Sequence, residues 1–187
     1  MTRAVGRVVL AAAAAAVLVV TAFVRAQSPS PPTVGSTVGQ WWKMLGRDLV
    51  ALADAMPEDK WNFKPATGEF GNVRTFGEQI KHAACANEAF MLEIEHKEPP
   101  AECENGGPNP AKTKAEILQY LRQSFARLDA VVDGLTPANA LEPAGGRYGG
   151  QSTRLGLITL AVWHGADHYG QLVVYLRMNG IVPPASR

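Results

Sequence analysis

Apolar side chains recur along this chain at intervals of three and four residues, and this spacing constrains the fold more than any other feature. The first such stretch contains Val38, Trp42, Leu45, Leu49, Leu52 and Met56. On an α-helix these positions lie on one face. Pro57 follows directly, and proline cannot continue a helix interior. The sequence therefore predicts a first helix that ends at Pro57.

Two further helices are predicted to begin with capping boxes. In this motif a Thr at the N-cap and a Glu three residues later each accept a hydrogen bond from the backbone N–H of the other. Apolar residues again recur every three or four positions after each box. The two predicted helices and their capping residues are 75–96, with Thr75 and Glu78, and 113–134, with Thr113 and Glu116.

The longest predicted helix lies near the end of the chain. Ser152 or Thr153 can cap it, and Asn179 followed by Gly180 closes it after Met178. Nowhere does the chain show a sustained alternation of apolar and polar residues between hairpin turns. The expected fold is therefore all-α, a four-helix bundle whose helices bury their apolar stripes against one another.

The first 26 residues have the character of a secretory signal peptide. Arg3 and Arg7 precede an almost uncharged apolar run over 8–24, and the small residue Ala26 fits a cleavage site. The alternative is a retained N-terminal anchor, because a run of 17 residues is at the lower limit for spanning a bilayer. We expect cleavage, which leaves the protein in the periplasm or outside the cell and free of the membrane.

The expected domain organisation follows from this. Residues 1–26 are the signal peptide, and 27–36 form a flexible tether rich in Pro, Ser and Thr. The helical bundle occupies 37–187 as a single domain.

Charge argues against nucleic acid as a partner. The whole chain has a net charge of +1, but the predicted signal peptide carries three arginines and no acid. The remainder holds 15 basic and 17 acidic residues, and its Lys and Arg are scattered singly among acids. A nucleic-acid-binding domain normally presents a concentrated basic surface, so we expect no nucleic-acid binding.

Three histidines stand out by their positions. His164 and His168 are four residues apart, so both rings lie on one face of the last helix. They occupy its inward seam, which contains Leu157, Ala161, His164, His168, Gln171 and Tyr175. His82, in the second helix, flanks that helix's apolar stripe and is expected to point inward as well.

One interpretation of these histidines is that each is a half-buried core residue hydrogen-bonded to a neighbour. Several imidazoles on converging helices are costly to bury without partners, however, whereas their neutral nitrogens are good metal ligands. The sequence therefore predicts one divalent metal ion bound by His82, His164 and His168. Three imidazoles suit Zn, Ni, Fe and Cu, so the metal is not distinguished.

No general acid or base is identified by the pattern. Glu78 is expected to be occupied as a helix cap, and Asp167 should project about 100° away from His168 toward solvent. The sequence therefore assigns no catalytic residue. Gly165 stands where the H-E-x-x-H motif of zinc proteases has Glu, which disfavours that class.

Two motifs resemble those of a known family, the DinB-like superfamily. The segment HGADHYGQL at 164–172 continues into VVYLRMNG at 173–180, and TFGEQIKH stands at 75–82. With the stretch MPEDKWNFKP at 56–65, the resemblance extends over most of the chain from about Val38 to Pro184.

This resemblance implies an up-down-down-up four-helix bundle, often assembled as a homodimer. It implies a divalent metal held by three histidines, which fall here on His82, His164 and His168. The superfamily includes metal-dependent hydrolase-like proteins and thiol-dependent transferases, and many members of no known activity. An export signal sets this chain apart from the transferases, because their thiol cosubstrates belong to the cytosol.

Cys85 and Cys103 are the only cysteines. An even number of cysteines in an exported protein is compatible with a disulfide, and the intervening chain is long enough to fold back. The alternatives are a free buried Cys85 or a thiol that acts as a fourth metal ligand.

Two further expectations concern the neighbourhood of the histidines. Trp163 could line a substrate pocket, but we expect it to pack between helices, because it faces about 100° away from His164. The Gly-rich segment 145–150 lacks the context of a phosphate-binding loop and is interpreted as a flexible connection.

The first interpretation of function is an exported metal-dependent hydrolase of a small substrate. The alternatives are a non-enzymatic metal-binding or structural, dimerising bundle, and a thiol-dependent transferase. A convincing acid or base near the metal would favour catalysis, whereas a closed coordination sphere would favour storage or a structural role.

Overall fold

Four α-helices make up more than half of the residues that the computed structural model describes, which are 31–69, 71–103 and 106–187. The domain formed by Thr33–Arg187 contains all of them. The predicted signal peptide at 1–26 and the first part of the predicted tether lie outside the described residues. The helices are α1, Val34–Ala55; α2, Phe76–Ile94; α3, Lys114–Asp133; and α4, Arg154–Met178.

The minor elements are short. Two 3-10 helices, Glu58–Lys60 and Pro184–Ser186, follow α1 and α4. Two strands of two residues each, β1 (Pro143–Ala144) and β2 (Ser152–Thr153), pair antiparallel just before α4. This strand pair brings the two ends of the Gly-rich segment together.

Helix α1 begins at Val34, three residues before the predicted start of the domain at 37. The reason is a third capping box, in which Thr33 Oγ1 accepts from Ser36 N and Ser36 Oγ accepts from Thr33 N. Gly35 lets this first turn approach the end of α3 closely, because a Cβ there would lie 2.9 Å from the carbonyl oxygen of Val132. Thr33 and Ser36, which lie in the predicted tether, thus form the N-terminal cap of α1.

The two predicted capping boxes are confirmed, and so is Thr153 as the cap of α4. Glu78 Oε2 accepts a hydrogen bond of 2.8 Å from Thr75 N, and Glu116 Oε2 accepts one of 2.9 Å from Thr113 N. Glu78 therefore has the capping role that the sequence predicts.

Contacts between helices establish their directions. Lys43 in α1 pairs with Asp133 at the end of α3, and Lys114 at the start of α3 donates to the carbonyl of Met56, so α1 and α3 are antiparallel. Helices α2 and α4 are antiparallel too, as Gln79 meets Gln171, His82 meets His168, and Phe90 meets His164.

The first turns of α2 and α3 line one surface pocket through Gly77 and Lys114. Further along, Glu88 contacts both Tyr120 and Arg127, so these two helices run in the same direction. Together these contacts give the up-down-down-up bundle that the sequence predicts.

The core lies between the inward stripes of the four helices. Its fully buried side chains come from every helix and include Trp42, Leu49, Ile80, Leu121, Leu128, Leu157 and Leu172. In the part of the chain that the structure describes, no helix is both long and apolar enough to cross a bilayer.

The bundle's stability should depend on this core. Leu121→Ala removes a fully buried side chain from α3, and the loss of its contacts should lower the free energy of unfolding by about 2–5 kcal/mol. Leu141→Ala is the matched control, because Leu141 is 73% exposed and should cost less than about 0.5 kcal/mol. Urea denaturation measures both, and similar losses in the two variants would contradict the described packing.

Candidate metal site

Helices α2 and α4 bring the three predicted histidines into one cluster. His82 projects from α2, and His164 and His168 project from adjacent turns of α4. Each ring offers one ligand nitrogen, and these three atoms lie within 4.8 Å of one another. The Nε2 atoms of His164 and His168 are 3.0 Å apart. This arrangement could hold a metal ion.

The rings contact one another edge to face. The His82 ring centroid lies 4.9 Å from that of His168 and 5.3 Å from that of His164, and Phe90 packs against His164 at 5.7 Å. His168 is 5% exposed, while His82 and His164 are half-buried. The cluster therefore has a buried side, formed by His168, and a side that faces outward.

Burial keeps the α4 histidines neutral. It lowers the pKa of His168 to about 3, with a further contribution from the charges of His164 and His82. Burial, followed by the charge of His82, lowers the pKa of His164 to about 4. Both imidazoles are therefore uncharged at neutral pH, which is the form that binds metal.

The hydrogen bonds of these rings also fit a metal ion. Nδ1 of His164 and Nδ1 of His168 are buried and have no hydrogen-bond partner among the described residues. If both Nδ1 atoms carry the protons, two Nε2 lone pairs face each other at 3.0 Å, which is unfavourable unless a cation lies between them. The donor set, three neutral imidazoles, suits a divalent transition metal.

His82 is oriented by a backbone carbonyl. Its Nδ1 donates a hydrogen bond of 2.6 Å to the carbonyl oxygen of Cys103, which places the ring's lone pair on Nε2. Cys103 forms a disulfide with Cys85. Of the alternatives that the sequence left open, the disulfide is therefore the one observed, and neither cysteine is a thiol ligand.

The cluster forms part of the wall of an open pocket of about 510 Å³. The expectation that Trp163 packs between helices is wrong, because its side chain is 65% exposed and lines this pocket. His164 occupies the inward face at this turn, so its sequence neighbour is directed outward. Besides the histidines, the residues that line the pocket include Arg74, Phe90, Tyr148, Leu160, Trp163 and Asp167.

Asp167 is exposed, as the sequence predicts, yet it also lines the pocket. Its Oδ2 accepts a hydrogen bond of 2.7 Å from Gln171 Nε2. Gln171 Oε1 in turn accepts one of 2.6 Å from Gln79, which is buried in α2. The two glutamines therefore hold the carboxylate of Asp167 in place beside the histidines.

A buried carboxylate secures the Gly-rich segment. Glu93 is 2% exposed, and its two oxygens accept hydrogen bonds of 2.8 and 2.9 Å from the backbone N–H groups of Tyr148 and Gly149. The Tyr148 hydroxyl also donates to the carbonyl of Pro100. The interpretation of 145–150 as a flexible connection is therefore wrong, because this anchoring fixes Tyr148 at the pocket wall.

Sequence reasoning missed Gln79, Glu93 and Tyr148. For Gln79 and Glu93 the available signal was polar character on the buried faces of α2, where Asn87 is a further buried polar residue. That signal marks an unusual residue without revealing its partner, which lies far along the chain.

These features define a class of protein: an all-α bundle with three histidines between two antiparallel helices at an open pocket. The model of the DinB superfamily matches residues 42–172, which include all three histidines. The chain therefore belongs to the DinB superfamily, in agreement with the resemblance found in its sequence.

Solved structures of other bacterial proteins are similar to this chain in fold. A DinB-like protein from Bacillus subtilis is 19% identical with a TM-score of 0.59, and covers 77% of this chain and 92% of its own. A DinB-like protein from Bacillus cereus is 15% identical with a TM-score of 0.56, covering 78% and 92%. A conserved protein from Enterococcus faecalis is 16% identical with a TM-score of 0.59, covering 79% and 97%. No curated protein matches the sequence.

The lowered pKa values of His164 and His168 predict that the metal-free domain loses stability in mild acid. Below pH 6.5 these histidines are protonated in the unfolded chain but remain neutral in the folded protein. The free energy of unfolding should therefore fall as the pH drops from about 6.5 toward 4. Each of the two rings contributes at most about 1.4 kcal/mol per pH unit.

The measurement is urea denaturation in the presence of a chelator at several pH values. His168→Gln should flatten the pH dependence, whereas His96→Gln, which replaces an exposed histidine, should follow the wild type. Parallel curves for all three proteins would show that His168 titrates normally in the folded state.

Proposed function

We propose that this protein binds one divalent metal ion through His82, His164 and His168 and hydrolyses a small substrate. The observation that carries the proposal is the convergence of three imidazole nitrogens, within 4.8 Å of one another, at the wall of an open pocket. Zn, Ni, Fe and Cu all suit this donor set.

The pocket favours catalysis over storage. A divalent ion held by three neutral protein ligands keeps open positions, at which it can polarise a substrate oxygen and acidify water toward a pKa of about 7. A storage or structural metal is normally enclosed by its ligands, whereas this cluster adjoins a cavity of about 510 Å³. That volume is within the range of small-molecule sites.

Other side chains in the pocket would accept a proton and bind the substrate. Asp167, fixed by Gln171, supplies a carboxylate in the pocket that can accept a proton. Arg74 places a positive charge close enough to lower the pKa values of His164 and His168, and this charge favours a substrate with an anionic or carbonyl oxygen. Phe90, Leu160, Tyr148 and Trp163 provide apolar surface for the rest of the molecule.

The proposal includes export and a homodimer. The disulfide between Cys85 and Cys103 supports export, because such bonds persist in oxidising compartments. This location also argues against a thiol-dependent transferase. The homodimer is compatible with exposed apolar side chains on α1 and α4, among them Trp41 and Met178.

Metal content tests the first part of the proposal. The purified wild type should bind one equivalent of divalent metal, and a His164→Ala, His168→Ala double variant should bind less than about a tenth of that, because two of three ligands are gone. His96→Ala is the matched control and should retain the full equivalent. Elemental analysis after dialysis provides the measurement. Equal metal content in the His164→Ala, His168→Ala variant and the wild type would contradict the assignment.

Hydrolysis of a substrate panel tests the second part. The metal-loaded wild type should hydrolyse at least one class of substrate among esters, amides, lactones and phosphates. The His164→Ala, His168→Ala variant is the blank. Asp167→Asn should lower kcat by about 10²–10⁴-fold if its carboxylate accepts the proton. Asp59→Asn, at an exposed site outside this pocket, should leave kcat unchanged. A fully metal-loaded protein that hydrolyses none of these classes would instead favour non-enzymatic metal binding.

A further inference from the structure

The connection between α2 and α3 is covalently fixed one helical turn from His82. Cys85 lies three residues after His82 in α2, and its disulfide partner Cys103 lies in that connection. Both cysteines are buried, and Cys103 itself lines the pocket that contains the histidines. The disulfide is thus part of the immediate surroundings of the candidate metal site.

The same residue that closes the disulfide also orients the histidine. The carbonyl oxygen of Cys103 accepts a hydrogen bond of 2.6 Å from His82 Nδ1 and a second one of 3.0 Å from the backbone N–H of Gly106. A carbonyl that holds the Nδ1 proton of an imidazole selects the tautomer with its lone pair on Nε2 and sets the direction of the ring. The position of Cys103 therefore determines how His82 presents its ligand nitrogen.

Gly106 and Gly107 pack directly against the disulfide and α2. Gly106 and Gly107 have φ angles of +85° and +66°, which favour glycine. A Cβ on Gly107 would collide with Sγ of Cys85, and one on Gly106 would collide with the side chain of Lys81. Only glycine at these two positions lets the backbone approach α2 this closely.

Other anchors of the connection lie further from His82. Tyr148 donates to the carbonyl of Pro100, and Arg147 donates to that of Ala101. These bonds hold the chain two and three residues before Cys103. Covalent attachment to α2 at the level of His82 comes from the disulfide.

We propose that the Cys85–Cys103 disulfide is a positioning element for His82, and that its closure completes a high-affinity metal site. The inference rests on the proposed metal binding. With the bond open, the carbonyl of Cys103 loses its fixed place, and His82 can rotate away from His164 and His168. Loss of an orienting partner of a ligand histidine weakens metal binding by about 10–100-fold.

Closure of the bond depends on the redox environment. The two thiols give up two protons and two electrons to an external disulfide, which is itself reduced to two thiols. A reducing compartment keeps the cysteines open, whereas an oxidising one allows them to close. The protein would therefore acquire its full metal affinity only after it reaches an oxidising compartment.

The decisive variant is Cys85→Ala, Cys103→Ala, which removes the bond without leaving thiols that bind metal themselves. Competition with a chromogenic chelator measures the Kd for Zn²⁺, and the double variant should bind Zn²⁺ about 10–100-fold more weakly than the wild type. Leu128→Ala, a buried core substitution in α3 outside the pocket, is the control for general destabilisation. Its Kd should match that of the wild type while the protein remains folded.

A second measurement needs no metal. In ¹H–¹⁵N spectra of the metal-free wild type, the His82 Nδ1–H should give a hydrogen-bonded signal, and this signal should disappear in the double variant. If the double variant fails to fold, the wild type reduced by a phosphine and kept folded should lose the same signal.

The outcomes separate the two proposals. A double variant whose Kd stays within twofold of the wild type, or an equal loss of affinity in Leu128→Ala, would overturn the positioning role. A wild type that binds no Zn²⁺ would overturn the proposed function. In that case the His82 signal still decides the positioning role: persistence of the signal without the disulfide refutes it, and loss of the signal supports it.

Discussion

The constraint on which the rest of this structure depends is the convergence of three imidazole rings, one buried and two half-buried, in one space between α2 and α4. Nitrogen atoms taken out of water need partners, and each one left without a partner costs about 1–3 kcal/mol. His82 obtains one from the carbonyl of Cys103, whereas Nδ1 of His164 and of His168 find none among the described residues. With the protons on these Nδ1 atoms, the Nε2 lone pairs of His164 and His168 face each other at 3.0 Å, and a shared cation would relieve that repulsion.

Three separate parts of the chain support this cluster, each by a different interaction. The connection after α2 is held by the disulfide and orients His82. The Gly-rich segment is held by Glu93 and places Tyr148 at the pocket wall. Gln79 reaches across from α2 and fixes Asp167 through Gln171. Packing alone would not need these polar supports, and their convergence on one pocket favours a site with chemical function.

The helices and the histidine triad could be predicted from sequence because their signals are local. Capping boxes and intervals of three and four residues act within a helix, and the spacing of His164 and His168 places both rings on one face. The hydrogen bonds from the backbone N–H groups of Tyr148 and Gly149 to Glu93 could not be predicted, since these residues lie 55 and 56 positions away from Glu93. The outward direction of Trp163 was missed for a related reason, because only tertiary packing shows which side of α4 adjoins a cavity.

The most direct test of this account is anomalous diffraction at the zinc edge from crystals of the protein loaded with Zn²⁺. One strong peak is expected between α2 and α4, with a nitrogen of His82, of His164 and of His168 each about 2.0–2.1 Å from it. A loaded crystal with no peak there, or with an ion bound elsewhere while the three rings remain as described, would contradict it.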